Sequence, residues 1–231
     1  MHRHRAIALA SIVFAATPGA ATALAADLQA GASTAPVYVT ANGGPTLLGM
    51  GAVPIRADRF AASWARARQD ASAHPMMQRL IAPARGLKPV QQIAFVQGSV
   101  TGNIRWISDT THWGQHDYWA SAPETLARGA GDMEDRAIVK MQALRALGFR
   151  PSDLFLTLAR DKVGGPITVL TVRHNGRYLV LDDTGGTPFV VDSRRFEFQP
   201  IISFGWTGTW LHTKSSKPAP VVAAASANAR K

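Results

Sequence analysis

The chain has 231 residues, 46% apolar and 17% charged, an ordinary balance for a globular protein and enough length for one domain with a real core. It contains no cysteine, which excludes disulfides and any thiol chemistry. The net charge is +10, but the basic residues are scattered (Arg56, Arg59, Arg66, Arg68, then Arg194, Arg195) with no run of five, which argues against nucleic acid as the partner.

Residues 1–26 read as a secretory signal peptide. His2-Arg3-His4-Arg5 is a positive n-region, Ala6 to Ala16 is a short apolar stretch, and Ala23-Leu24-Ala25 is a cleavage site of the A-x-A kind. The apolar stretch falls short of the roughly 20 residues of a membrane span, and no later segment is long and apolar enough to be one. The mature chain is therefore expected to lack a transmembrane segment and to be periplasmic or secreted.

Residues 27–55 are rich in Ala, Gly, Pro and Thr without a period and read as a flexible arm. The expected domain spans 56–213. Arg56 to Gln69 reads as a helix with Phe60, Trp64 and Ala67 on one side, His74 to Leu80 as a second short helix, and Lys88-Pro89 as the start of a third, carrying Val90, Ile93, Ala94 and Val96. Asn103 to Trp119 is aromatic and polar, with Trp106, Trp113, Tyr118 and Trp119 inside 14 residues. Rings of that size are costly to expose; they either pack over the helices as a core-edge loop or wall a cleft, and the two readings are compatible. Pro123 stands at the start of a short helix.

The stretch Gly129-Ala130-Gly131-Asp132-Met133-Glu134-Asp135 then opens the central helix. The glycines allow a tight approach. Asp132 can cap the helix by accepting from its first-turn N–H groups, and Asp135 can reach back in the manner of a capping box. Ala137, Ile138, Met141, Leu144 and Gly148 form an apolar stripe. Position 133 lies where backbone amides and the helix dipole favour an anion. A cysteine there would have a depressed pKa and be a good nucleophile; this chain has methionine.

Gly148 and Pro151 stop the helix. Strands are expected at Leu154 to Ala159, Ile167 to Arg173, Arg177 to Leu181, Phe189 to Val191 and Phe196 to Ile201. Asn175-Gly176 is a hairpin turn, which pairs 174 with 177 and sets Ile167 diagonally from Asp182. Residues 214–231 carry Ala, Ser, Pro and Lys without an aromatic residue and read as a disordered tail.

A helix-start nucleophile followed by a histidine and an acid on neighbouring strands is the papain and transglutaminase arrangement. The order here resembles the bacterial transglutaminase-like cysteine peptidases, which include periplasmic proteases that release surface adhesins during biofilm dispersal. The resemblance rests on Asn103-Ile104-Arg105-Trp106, Trp113-Gly114, Asp117-Tyr118-Trp119-Ala120, Pro123-Glu124, Gly131-Asp132-Met133-Glu134-Asp135, Leu144-Arg145 with Leu147-Gly148, and Leu179-Val180-Leu181-Asp182. It implies an α+β fold of the papain/transglutaminase-like kind, with N-terminal helices and a central helix packed on an antiparallel sheet. It places the family's cysteine on Met133, its histidine on Ile167 and its acid on Asp182. Neither of the first two can do the family's chemistry, and side by side they would make an apolar plug.

The resemblance thus implies a degenerate member, a pseudo-protease that binds a protein partner: a receptor's periplasmic domain at the inner membrane, or an adhesin segment. Trp106, Trp113, Tyr118 and Trp119 would form the binding cleft. The alternatives are a peptidase with a non-cysteine nucleophile, for which Ser99, Ser108 and Thr168 are the available hydroxyls, and an envelope scaffold. The adhesin-releasing branch binds calcium through acids flanking its cysteine, which fall on Asp132 and Glu134 with Asp135 adjacent; the same acids could cap the helix with no metal. His112 and His116 have i, i+4 spacing, but Gly114 between them and the non-helical look of the stretch make them solvated or core-edge histidines and not a zinc pair.

Overall fold

The structure is a computed structural model that describes residues 46–184, 186–190 and 198–213. Among the described residues, five helices precede the central one, and four of them share its core on one side of a large sheet. They are α1 (Ala61–Ala67, after a 3-10 turn at Asp58–Phe60), α2 (Pro75–Ile81), α3 (Pro89–Asn103) and α5 (Ala122–Arg128). Between α3 and α5 runs a short strand, β3 (Arg105–Trp106), and a one-turn helix, α4 (Asp109–Trp113), which Gly114 ends in the left-handed region. The central helix α6 spans Met133–Ala146. Pro at the first position of α2 and α3 and a Ser121–Glu124 capping box on α5 set those helix starts.

The remaining strands are β1 (Thr46–Leu47), β2 (Met50–Ile55), β4 (Ala130–Gly131), β5 (Leu154–Asp161), β6 (Pro166–His174), β7 (Arg177–Leu181), β8 (Phe189–Val190), β9 (Phe198–Gly205) and β10 (Gly208–Thr213). Among the described residues the main sheet has the order β1-β2-β10-β9-β5-β6-β7-β8, every neighbouring pair antiparallel. The hairpin register is the expected one: His174 pairs with Arg177 and the ladder runs back to Leu170 opposite Leu181. Asn175 and Gly176 take φ of 50° and 75°, the double positive turn that suits strand twist.

Two parts of the sequence reading change. Residues 46–55 of the expected arm are strands, with β2 pairing β10 from Gly51 opposite Thr213 to Ile55 opposite Thr209. The segment alternates too weakly to announce itself, and a partner strand more than 150 residues downstream orders it. Strand β10, also unexpected, supplies that partner. The expected signal peptide, the rest of the expected arm and the expected tail lie outside the described residues, as do Val191 and the first residues of the strand expected from Phe196.

Strand alternation divides the core. On the helix side, Leu154, Leu156, Leu170, Val172, Leu181 and Phe204 pack against Ile93, Val96, Ile138, Met141 and Leu144. On the far face, Phe155, Ala159, Val169, Val180 and Phe198 pack under Leu47, Leu48 and Ala52 from the β1–β2 hairpin. Helix α6 is buried on all sides from Asp135 to Leu144, not along one stripe. Three of its buried polar side chains find partners: Gln142 Nε2 donates to the Ala67 carbonyl at 2.7 Å, Lys140 Nζ donates to the Asp182 carbonyl, and Arg136 pairs with Asp183 at 2.8 Å.

Candidate functional site

The start of α6 is held by backbone pairing. Arg105–Trp106 runs parallel to Ala130–Gly131, and the Ile107 N–H donates to the Gly131 carbonyl at 3.2 Å. Asp132 caps the helix, its side chain accepting from the Asp135 N–H at 3.4 Å. Gly131 is needed for a close approach: a Cβ there would lie 2.6 Å from the Asp135 side chain. The capping-box role for Asp135 is not observed. Its carboxylate lies beside Gly131, and Oδ1 accepts from the Ala120 N–H at 2.8 Å.

That position assembles an acid cluster. Oxygens of Asp109, Asp132 and Asp135 lie within 4.8 Å of one another. Asp109, the first residue of α4, accepts from the Tyr118 N–H. Asp109 Oδ1 and Asp135 Oδ2 are buried without a partner among the described residues. Burial, then the charges of Glu134, Asp135 and Asp109, pushes Asp132 up to about 9. Burial pushes Asp135 up to about 7 and also raises Asp109. Three clustered carboxylates, two of them with an orphaned oxygen, form an all-oxygen donor set, which suits a hard divalent cation. A cation would supply the charge that the protons supply without it.

Glu134 stands beside this group, and its Oε1 accepts from Thr168 Oγ1 at 2.7 Å. Asp109 escaped the sequence reading because no local spacing ties it to Asp132; only the β3–β4 pairing brings the two segments together. The one legible signal was Ser108-Asp109, an N-cap followed by a first-turn acid.

Met133 is half-buried in the first turn of α6. Ile167 does not join it in a plug. It packs with the far-face cluster, while Thr168, the next residue of β6, faces the helix start. Asp182 follows β7 and is engaged: Oδ1 accepts from the Thr184 N–H at 3.0 Å, from Thr184 Oγ1 at 2.7 Å and from Gln97 Nε2 at 3.3 Å. Arg173, on the neighbouring strand, pairs with Asp153 at 2.8 Å and not with Asp182.

The aromatic set divides. Trp106 is 53% exposed beside the helix start. Trp113 and Tyr118 pack ring on ring at 4.6 Å. Trp119 is a core residue, 1% exposed, stacked on Phe60 at 5.6 Å, and is no cleft wall. Tyr118, next to it, is half-buried, and its hydroxyl donates to Glu124 Oε1 at 3.1 Å. His112 packs edge-on against Trp113 at 5.1 Å and His116 is exposed. Among the described residues the possible metal group contains neither. Of the candidate hydroxyls, Ser99 is buried in α3 and Ser108 bonds Thr111 at 3.0 Å, which leaves Thr168 at the helix start.

The comparisons with known proteins agree with this fold. Legionella pneumophila LapG is 24% identical, over 69% of this chain and 90% of its own, with a TM-score of 0.52. Its calcium-bound form is 27% identical over 62% and 81% at 0.50, and its EGTA-treated form 24% identical over 73% and 92% at 0.53. A search of curated proteins gave no match. The family model for the bacterial transglutaminase-like cysteine proteinases matches residues 54–217, well over half the chain. The helix-on-antiparallel-sheet fold is therefore a transglutaminase-like one, and the chain belongs to the bacterial transglutaminase-like cysteine proteinases.

Proposed function

We propose that this chain is an exported, non-catalytic member of its family that binds a protein partner in the envelope. The observation that carries the reading is Met133 in the first turn of α6, in a chain without cysteine, beside a cluster of three acids at the helix start. A thioether cannot ionise to a nucleophile. Ile167, in the position the resemblance gives to the histidine, cannot move a proton and points to the far face of the sheet. Asp182, in the acid's position, is absorbed by Thr184 and Gln97. Losing members of such a unit costs on the order of 10⁶ in rate.

Export is supported by the charged, apolar and small-residue order of residues 2–25. Calcium is supported by the orphaned oxygens of Asp109 and Asp135 and by the calcium-bound relative. Asp109, Asp132 and Asp135 would hold the ion, with Glu134 beside them. When bound it supplies fixed positive charge at the helix start, in place of carboxyl protons. The protein surface there is the exposed face of Trp106, anchored by its backbone pairing to Gly131. An adhesin segment, or the periplasmic domain of an inner-membrane receptor, is the partner that the family resemblance favours.

A second reading has one observation behind it. The Thr168 hydroxyl donates to the Glu134 carboxylate, a hydroxyl and a base within 2.7 Å. A casein-type assay of the full chain with calcium separates the two. No turnover is expected; turnover that Thr168→Val abolishes would replace the binding reading with a threonine-dependent hydrolase. Met133→Cys is expected to gain a thiol that alkylates readily, since it stands at a helix start, and inertness would mean that the first turn is closed to solvent species.

A further inference from the structure

At the other end of α6 from the acid cluster, about 20 Å away at the rise of a helix, lies a cavity of about 310 Å³. Three elements wall it. The first turn of α3, through Pro89 and Gln92, forms one side. The end of α6 forms the second, where Gly148 stops the helix at φ 96°. Arg173, His174 and Asn175, at the end of β6 and the start of the hairpin turn, form the third.

The charges of the wall do not balance. Asp153 is its one carboxylate, buried, with both oxygens spent. Oδ1 accepts from Arg173 Nε at 2.8 Å and Oδ2 from Arg150 Nε at 2.8 Å. One carboxylate thus holds two guanidinium groups side by side and leaves one positive charge over. Arg173 is tied further, Nη2 donating to the Ser152 carbonyl at 3.4 Å, with Tyr178 beside it. Among the described residues Arg150 is tied through Nε alone, so its two terminal nitrogens remain as a fork. Burial holds His174 below its ordinary range, so its ring adds no charge at pH 7. The first turn of α3 adds positive potential, and the end of α6 sets carbonyl oxygens on the other side. Leu147 and Phe149 are the apolar part of the wall.

We propose that this cavity binds the carboxylate end of an α-amino acid unit, carried by a peptide C-terminus or by a free amino acid. The carboxylate lies on the Arg150 fork, the N–H or ammonium group toward the carbonyls that end α6, and the side chain against Leu147 and Phe149. At about 30 Å³ per water the cavity has room for about ten waters, far more than a bare ion needs. Inorganic phosphate would match the fork but leave the carbonyls and the apolar wall without a partner. The cavity shares no residue with the helix start and does not rest on the reading given for it.

The test is a titration of the isotope-labelled full chain, followed by amide chemical shifts, with four probes: the peptide Gly-Gly-Gly-Ala-Leu as free acid, the same peptide as C-terminal amide, free leucine, and inorganic phosphate. Shifts are expected at Leu147, Gly148 and Asn175 and not at Met133 to Asp135. The free acid is expected to bind about tenfold more tightly than the amide. Arg150 is exposed, and Arg173 still holds Asp153 without it, so Arg150→Gln is expected to keep the fold. It is expected to weaken the free acid about tenfold and to leave the amide unchanged. Arg150→Lys keeps the charge without the fork and is expected to recover little of that loss. Arg79→Gln, on α2 and outside the cavity wall, is expected to change affinity by less than about twofold. Free leucine binding as tightly as the peptide supports the proposal and assigns the site to free amino acids; weaker binding supports it and assigns the site to chain ends. Equal affinity for free acid and amide, no shift with the free acid at about 1 mM, tighter binding of phosphate, or unchanged affinity in Arg150→Gln would each overturn it.

Discussion

Single residues decide the chemistry of the helix start. Gly131 has the Asp135 carboxylate where a side chain would go, so Gly131→Ala must push Asp135 out of the cluster. A loss of about 1–3 kcal/mol in urea unfolding is expected, with calcium no longer raising the midpoint. Asp183 is the counterpart of Arg136, whose side chain is 8% exposed. Removing one member of a buried pair strands the other, so Asp183→Ala is expected to cost about 3–5 kcal/mol, read by the same unfolding curves. The glycine, the cap and the methionine were all legible in the sequence, because each acts through its immediate neighbours. Asp109 was not, and neither was the engagement of Asp182 by Gln97, since both depend on segments that meet only after folding. Thr168 and Ile167 show the same limit in another way. A motif fixes an order along the chain, but the alternation of the folded strand decides which of two adjacent side chains faces the helix.

At the scale of elements, helices and the central hairpin followed from local rules, and the sheet edges did not. The Asn175-Gly176 turn carries its own signal, because only such residues take two positive φ values cheaply. Asn175→Ala is expected to cost about 1 kcal/mol and to leave the register unchanged, as judged by amide chemical shifts. Strands β1, β2 and β10 have no comparable signal. Ala, Gly, Pro and Thr read as an arm until β10 offers β2 a ladder. Helix α6 was expected to be amphipathic and is instead buried all round from Asp135 to Leu144, with Arg136, Lys140 and Gln142 each donating to a specific carbonyl or carboxylate. Leu144, fully buried under the sheet, is expected to cost about 2–5 kcal/mol when truncated to Ala.

Across the whole molecule, two buried titrating groups pull stability in opposite directions. His212 lies within the far face of the sheet, Nε2 against Ser203 Oγ at 2.8 Å, and burial pushes it down to about 4. The unfolded chain therefore binds the proton first, and stability present above about pH 6.5 is lost as pH falls toward 4, by about 3 kcal/mol at the limit. His212→Asn, which keeps a partner for Ser203 without titrating, is expected to flatten that acid limb. The acid cluster does the reverse. Asp132 and Asp135 hold protons in the fold that the unfolded chain has released, so without a cation stability falls as pH rises from about 4 through 7 toward 9. A bound divalent ion is expected to remove that alkaline fall.

The central claim is that the helix start keeps a cation site where it has no nucleophile. Calorimetric titration of the full chain with calcium at pH 7, repeated in buffers of different ionisation enthalpy, tests it most directly. The account expects one ion per chain, protons released as Asp132 and Asp135 give up theirs, and no binding in Asp109→Asn. Absence of binding in the unaltered chain, or binding that Asp109→Asn leaves unchanged, would contradict it.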